Sequence, residues 1–380
     1  MKLLFHIGSH KTGTTSLQNH LADIAPELSK SGIIYPRPKT HIPPHSILLS
    51  GLMPEQDLPR IVRFAGTADQ RKARKRQALE TLRAIASKSS GDTLLLSSEE
   101  FFMPIPEHGL SKLKHELTDA GIRSFSFVAY LRQPSAFYAS WLQQTLKASF
   151  TPPKILPPPC EQIFSPYLKV FGKSSLNLRL YPEVWPQGDD TVQDFFRDVL
   201  FREDLAQDRA DKPQVNRSLS AEAIALMQSY RFAFLRERED RFTSDSRRLG
   251  AALTRLEAET NTTKIRLHDE IAQKIDYDGA ALTWLRDHLS FEVPGLDYSR
   301  LEKRSEEIQT PFDLRQLIHI DPAAYRTLAR KLLNSGWANS ARLESRLSFG
   351  LDPMSRRRRH WLEAQSQHGY APPTLSAKTV

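Results

Sequence analysis

The stretch Leu3–Gln18 reads LLFHIGSHKTGTTSLQ and combines a strand pattern, a turn and the start of a helix pattern. Four of its first five residues are apolar, which is typical of a short buried strand. Gly8 and Gly13 bracket a polar turn, and apolar residues then recur at helical spacing from Leu17 to Leu28. A helix start behind such a turn points backbone N–H groups and the positive end of the helix dipole into one pocket. The sequence therefore predicts an anion-binding site early in the chain.

The residue types in this turn favour a phosphate as the anion. Lys11 adds a full positive charge. The nucleotide-kinase pattern G-x-x-x-x-G-K-[ST] has the same glycine separation, but Thr14 stands here where that pattern has its lysine. The alternative is a solvated turn before an ordinary helix. The predicted anion contacts are Lys11, Thr12, Gly13, Thr14, Thr15 and Ser16.

A second phosphate contact is predicted at the end of the strand pattern Ser124–Leu131 (SFSFVAYL). Arg132 follows this strand directly, and Ser140 lies on the helix pattern that comes next. A guanidinium group at a strand end can bind a phosphate through two parallel hydrogen bonds. A hydroxyl on the following helix would face the same anion. The alternative is a salt bridge from Arg132 to Glu99 or Glu100.

Together these two stretches resemble the sulfotransferases that use 3′-phosphoadenylyl sulfate (PAPS), in particular bacterial ones. The order K-T-G-T-T resembles their 5′-phosphosulfate loop, and R-x-P with a serine eight residues after the arginine resembles their 3′-phosphate motif. The resemblance covers about residues 1–230. It implies that Lys11 neutralises the leaving 5′-phosphate, that Gly13, Thr14 and Thr15 cradle it, and that Arg132 and Ser140 hold the 3′-phosphate. It also implies that no metal is needed.

Two residues are candidates for accepting the proton of the acceptor group. Glu99 lies in SSEEF after the strand pattern Thr93–Ser97, where a base for a hydroxyl is well placed. The resemblance favours Glu99 and also suggests His45, with His41 behind it, as a residue facing the acceptor pocket. The alternatives are carboxylates that stabilise a helix start and histidines on a surface loop.

A third, looser similarity lies in residues 211–219 (DKPQVNRSL). Arg217 is the candidate for a basic loop that folds over the nucleotide, as the resemblance suggests. The alternative reading makes Ser218 or Ser220 the N-cap of a helix, with Glu222 in a capping contact.

The composition of the chain limits its partners, its disulfide content and its location. The chain has 380 residues, 39% of them apolar, and a net charge of +9, which suits an anionic nucleotide and an anionic acceptor or membrane surface. No nucleic-acid motif is recognised, so no nucleic-acid partner is predicted. A single cysteine, Cys160, excludes an intrachain disulfide framework and is expected in a loop. The apolar runs are too short for a spanning helix or a signal peptide, which predicts a cytoplasmic protein.

The alternation of strand and helix patterns predicts an α/β fold with a parallel sheet. The resemblance implies that this sheet is P-loop-like and flanked by helices, with a mainly helical C-terminal region. The expected division is an α/β domain over 1–235, a helical extension over 236–367 and a flexible tail over 368–380. The basic and aromatic run at 356–361 could meet anionic phospholipid or a polyanionic glycan, or it could be a solvated helix end.

The resemblance implies that the function is transfer of a sulfuryl group from PAPS to a hydroxyl or amine. The acceptor is expected to be a bacterial glycan or glycolipid. One alternative is a P-loop kinase of a small hydroxylated substrate, which would need ATP and magnesium. The other is a non-catalytic module that binds a nucleotide or a glycan. The sequence predicts no oligomeric state.

Overall fold

The structure is a computed structural model that describes residues 1–9, 12–36, 45–89, 92–156, 158–181, 190–206, 218–302, 308–339 and 353–372. Its centre is a sheet of five strands that are all parallel and lie in the order β2-β3-β1-β4-β5. The predicted α/β fold is therefore confirmed. The strands are β1 (Lys2–Gly8), β2 (Ile33–Ile34), β3 (Thr93–Ser97), β4 (Ser124–Leu131) and β5 (Leu176–Leu180).

The first strand lies at the middle of the sheet, and its side chains explain why. Every residue of β1 after Lys2 is buried. Leu3 and Phe5 belong to an apolar cluster on one face, whereas Leu4 belongs to a second cluster on the other face. Since side chains alternate along a strand, an apolar run that only His6 interrupts fits a strand that is covered by helices on both sides.

The described part of the chain contains fourteen α-helices. The mainly helical C-terminal region is also confirmed. The helices are α1 (Thr14–Asp23), α2 (Ala25–Lys30), α3 (Arg60–Arg63), α4 (Ala68–Lys88), α5 (Glu107–Asp119), α6 (Pro134–Leu146), α7 (Cys160–Phe171), α8 (Thr191–Asp198), α9 (Ala221–Phe234), α10 (Ser244–Glu257), α11 (Asp269–Asp276), α12 (Gly279–Leu289), α13 (Pro322–Asn334) and α14 (Pro353–His368).

The chain divides into two compact units, each assembled from three separate stretches. The first unit contains residues 1–133, 157–213 and 278–303, and therefore the whole sheet. The second unit contains residues 134–156, 214–277 and 304–380. This division differs from a single cut after residue 235, because residues 134–156 and 214–235 belong to the second unit and residues 278–303 belong to the first.

Cys160 does not lie in a loop as expected but begins α7, where it is buried among apolar side chains of the first unit. Burial disfavours the thiolate and raises the pKa of Cys160 to about 12. This thiol therefore behaves as a small apolar core group.

The second unit is built around α9, whose residues from Ala221 to Arg231 are all buried. Ser220 caps this helix by accepting a hydrogen bond from the N–H of Ala223 at 3.1 Å, as the alternative reading expected. The capping contact expected of Glu222 is wrong. Its carboxylate instead accepts hydrogen bonds from Thr263 and from the N–H of Asp321.

The end of the described chain packs into the same unit. Tyr370, in the stretch expected to be a flexible tail, donates a hydrogen bond of 2.5 Å to the side chain of Gln228. It also accepts one from the N–H of Leu314. Hydrogen bonds of this kind fix the chain at least as far as Tyr370.

Candidate active site at the carboxyl edge of the sheet

The turn after β1 is shaped by two glycines in the left-handed region. Gly8 has φ +82°, and a Cβ there would lie 2.6 Å from the Cα of Glu99. Gly13 has φ +77°, and a Cβ there would lie 2.5 Å from the hydroxyl of Thr191. Only glycine combines this backbone conformation with such close neighbours. The turn is therefore fixed on one side by the segment that follows β3 and on the other by the start of α8.

Hydroxyl groups inside the turn hold it together. The Thr12 hydroxyl donates to the carbonyl of Ser9 at 2.7 Å, and the Thr191 hydroxyl donates to the carbonyl of Thr12 at 2.9 Å. Thr14 makes a longer contact of 3.4 Å to the same Ser9 carbonyl. Thr12, predicted as an anion contact, is fully buried, so its hydroxyl organises the turn from within. Thr191 was missed because nothing local in the sequence links it to a turn almost 180 residues earlier.

The start of α1 has the features of an anion site. Gly13 is its N-cap, no side chain caps the helix, and no acidic residue lies in its first turn. By contrast, the start of α8 is satisfied by the carboxylate of Asp190. An uncapped helix start presents N–H groups and a positive partial charge. Thr15 is exposed and Ser16 is partly exposed, so two of the predicted contacts face outward at this point.

Two predicted cationic contacts fall outside the described residues. These are Lys11, in the turn itself, and Arg217, in the looser third stretch. The secondary candidate His41 lies outside them as well. Their roles stay predictions.

Arg132 lies where the strand pattern placed it, directly after β4. Its guanidinium group stacks over the ring of Tyr181 at 4.8 Å, and the N–H of Tyr181 donates to the carbonyl of Leu131 at 2.7 Å. Gly8 of β1 pairs with Ala129 of β4, and Arg132 lies three residues after Ala129. At the rise per residue of a parallel strand, Arg132 therefore lies about 10 Å beyond Gly8 along the strand direction. The arginine is therefore held on an aromatic face at the same sheet edge as the turn.

Ser140 belongs to α6 in the second unit, whereas Arg132 belongs to the first. The start of α6 is itself occupied, because Asp276 accepts hydrogen bonds of 2.8 Å from both the N–H and the hydroxyl of Ser135. Ser140 is partly buried. Its pairing with Arg132 on one phosphate stays a prediction.

Glu99 and Glu100 form the start of a short 3₁₀ helix directly after β3. Both side chains are partly buried. Burial and the neighbouring charge of Glu99 raise the pKa of Glu100 to about 7. A carboxyl pair at this edge can therefore take up a proton near neutral pH.

His45, the other predicted proton acceptor, is tied to the backbone. Its Nδ1 accepts a hydrogen bond of 3.0 Å from the N–H of Ser97, and the ring also contacts the backbone of Pro36. Burial lowers the pKa of His45 to about 4. The same Nδ1 lies 3.2 Å from the carbonyl oxygen of Ser97, so the ring is held against the backbone of one residue of β3. This geometry suits a residue that joins the loop to β3 better than one that takes up a proton.

A buried polar network beneath the turn was not foreseen from the sequence. His6 Nδ1 lies 2.9 Å from the Ser97 hydroxyl, which also accepts a hydrogen bond of 3.2 Å from Gln18. His6 is fully buried, and its ring meets the rings of Tyr130 and Phe195 edge to face. Burial lowers its pKa to about 3. The alternation of β1 predicts that His6 points into the core, but its partners come from β3, β4 and α8.

Known proteins give no further guidance on this site. No protein-family model, no curated protein and no solved structure matches the chain. Within the described residues, no three histidine, cysteine, aspartate or glutamate side chains are grouped so that they could hold a metal ion. No helix in the described ranges has the length and apolar character needed to cross a membrane.

Proposed function

We propose that this protein transfers a sulfuryl group from PAPS to a hydroxyl or amine of an acceptor, a glycan or glycolipid in the first instance. Two neighbouring features carry the proposal. The first is the uncapped start of α1 behind a turn with two left-handed glycines. The second is Arg132, which directly follows the adjacent strand β4. One such edge offers two separate contacts for anions. A nucleotide with phosphates at its 5′ and 3′ positions requires two contacts of this kind. A cytoplasmic location belongs to the same proposal.

The 5′ side of the donor is assigned to the turn. The N–H groups at the start of α1 and the side chains of Thr14 and Thr15 bind the 5′-phosphate. Lys11 lies in the same turn of the sequence and neutralises the negative charge that grows on this phosphate as it leaves. Donors that are already oriented toward the developing charge lower the barrier without reorganising during the reaction.

The 3′ side of the donor is assigned to Arg132. Its guanidinium binds the 3′-phosphate. Stacking on Tyr181 already restricts the conformations of this side chain, so less conformational entropy is lost when the phosphate binds. Ser140 and Arg217 stay the further contacts that the resemblance implies for this donor. The contact of Arg132 sets the register of the donor so that the sulfuryl group faces the incoming nucleophile.

The reaction then follows as a direct displacement. The acceptor oxygen or nitrogen forms a bond to sulfur while the bond from sulfur to the 5′-phosphate oxygen breaks. The proton of the acceptor passes to the carboxyl pair Glu99 and Glu100, and adenosine 3′,5′-bisphosphate leaves. Glu99 lies against Gly8, which places the pair beside the turn that holds the reacting end of the donor.

Calorimetric titration with adenosine 3′,5′-bisphosphate in the presence of a chelator tests this proposal most directly. We expect that the bisphosphate binds saturably without magnesium and that ATP binds more weakly than the bisphosphate does. A requirement for magnesium and ATP would instead favour a kinase. Tight binding of the bisphosphate without turnover on any acceptor would favour a non-catalytic module.

The assignment of the base gives a separate prediction. Glu99→Gln is expected to lower turnover by about a hundredfold, since a positioned base contributes on the order of 10²–10⁴. Turnover of the wild type should rise with pH through about 7, because the ionised carboxyl pair is the form that accepts a proton. In Glu99→Gln the pKa of Glu100 falls with the loss of its charged neighbour, so the remaining rise should move to lower pH.

The matched control is His45→Asn. His45 has φ +72°, and asparagine tolerates this conformation and keeps an acceptor for the N–H of Ser97. This variant should retain turnover and the same pH profile. Unchanged turnover and an unchanged profile in Glu99→Gln would contradict the assignment.

A further inference from the structure

An exposed apolar and basic surface lies at α3 and the first two turns of α4, in the first unit. Phe64 is 76% exposed and Ile61 is 40% exposed, although both are large apolar side chains. Val62 between them is fully buried. We call residues 60–76 the basic hairpin. One of its apolar side chains anchors it to the unit while two others face solvent.

Hydrogen bonds fix the basic hairpin in this arrangement. The buried guanidinium of Arg71 donates to the carbonyls of Arg63 and Gly66 and pairs with Glu55. The side chain of Arg74 donates to the carbonyl of Ala65. The capping box of Thr67 and Gln70 starts α4 at the same point. These hydrogen bonds hold the backbone on both sides of Phe64, and in this conformation its side chain faces solvent.

The surroundings of Phe64 are positively charged. Residues 55–76 contain seven basic and three acidic side chains, a formal surplus of four positive charges. Arg71 and Lys75 point inward and pair with Glu55 and Glu116. The other five are exposed or partly exposed: Arg60, Arg63, Lys72, Arg74 and Arg76. Exposed aromatic and aliphatic side chains thus stand among outward-facing cations.

We propose that the basic hairpin docks on the surface of a membrane that contains anionic phospholipids. Phe64 and Ile61 enter the boundary between headgroups and acyl chains, and the surrounding arginines and lysines meet lipid phosphates. Apolar side chains flanked by cations are the combination that binds such an interface. A soluble polyanion would use the cations and could stack a base on an aromatic ring, but it has no acyl chains against which an aliphatic side chain such as Ile61 can be buried. The charges therefore select an anionic surface, and the pair of aromatic and aliphatic side chains favours a lipid.

In the basic run at 356–361, the membrane contact expected from the sequence, Arg358 and Trp361 are occupied within the second unit, whereas the other four residues are exposed. Arg358 is buried and donates to the hydroxyl of Tyr230 and to Asp245. Trp361 packs against Tyr230 and Phe234. These two side chains stabilise α14 on its own unit, and this leaves the basic hairpin as the better lipid contact.

Co-sedimentation with vesicles tests the proposal. Vesicles of phosphatidylcholine and phosphatidylglycerol in equal parts are compared with vesicles of phosphatidylcholine alone. We expect the wild type to bind the anionic vesicles only. Phe64→Ser should weaken this binding about tenfold. The double variant Lys72→Gln/Arg76→Gln should weaken it about 25-fold, since each cation near an anionic surface is worth about fivefold.

The matched control is Phe201→Ser. Phe201 is 81% exposed and lies in the same unit, but acidic residues follow it at Glu203 and Asp204. This variant should bind like the wild type. Binding to neutral vesicles, no binding at all, or full binding by Phe64→Ser would overturn the proposal. In the last case, binding lost only in the charge variant would indicate a soluble polyanion.

This proposal does not depend on the proposed reaction. Each variant should bind adenosine 3′,5′-bisphosphate with the affinity of the wild type, because none of the variants alters Arg132 or a residue of the glycine turn. A failure of vesicle binding with intact nucleotide binding therefore counts against docking alone.

Discussion

Replacing Lys11 with alanine is expected to lower sulfuryl transfer by about a thousandfold, the upper range seen for loss of one group that stabilises a developing charge. Lys11 follows β1 inside the glycine-bracketed turn, where no acidic residue lies in the first turn of α1. Its charge matters most when the 5′-phosphate leaves. The loss should therefore fall on kcat more than on the affinity for PAPS.

The measurement is single-turnover transfer from radiolabelled PAPS, with circular dichroism to confirm folding. Lys30→Ala is the matched control, because Lys30 is an exposed lysine at the end of α2 in the same unit. It should transfer at the wild-type rate. Full activity of Lys11→Ala would refute the assignment of the 5′ side.

Replacing Arg132 with alanine is expected to weaken binding of adenosine 3′,5′-bisphosphate by about a hundredfold. A charged, two-pronged hydrogen bond to phosphate is roughly twice as strong as a neutral one. Binding of adenosine 5′-monophosphate, which lacks the 3′-phosphate, should change little. The difference between the two ligands isolates the 3′ contact from any general damage to the site.

Calorimetry with both ligands measures this difference directly. Arg132→Lys should lie between the wild type and the alanine variant, because lysine keeps the charge but loses the planar fork and its stacking on Tyr181. Equal losses for the two ligands would defeat the assignment. They would indicate that Arg132 supports the sheet edge without touching the 3′-phosphate.

The strands were predictable because their apolar runs are short, dense and ended by turn residues. β3 and β4 have the bounds that their patterns gave, and β1 begins and ends within one residue of its pattern. The start of α1 was predictable for the same local reason, since Gly13 must adopt a left-handed conformation just before the helix. Signals of this kind lie within a few residues of the feature that they specify.

The remaining features depend on contacts between distant stretches. Thr191 reaches the turn only because α8 packs beside it, and His6 meets Ser97 only because β3 lies next to β1. The start of α7 at Cys160 was missed because prolines surround it and Pro166 lies inside the helix. A proline is read as a break in a local pattern, although tertiary packing can tolerate one.

The close packing of Gly8 against Glu99 affects how the turn and the acidic segment can move. A Cβ at Gly8 would lie 2.6 Å from the Cα of Glu99, so the backbone of the turn packs closely against the segment that follows β3. On the proposed function, a rearrangement of the glycine turn around an incoming nucleotide would be transmitted by this contact to the acidic segment beyond β3. Loading of the donor and alignment of the proton acceptor would then occur as one motion, so an empty enzyme would not present a fully assembled centre to water.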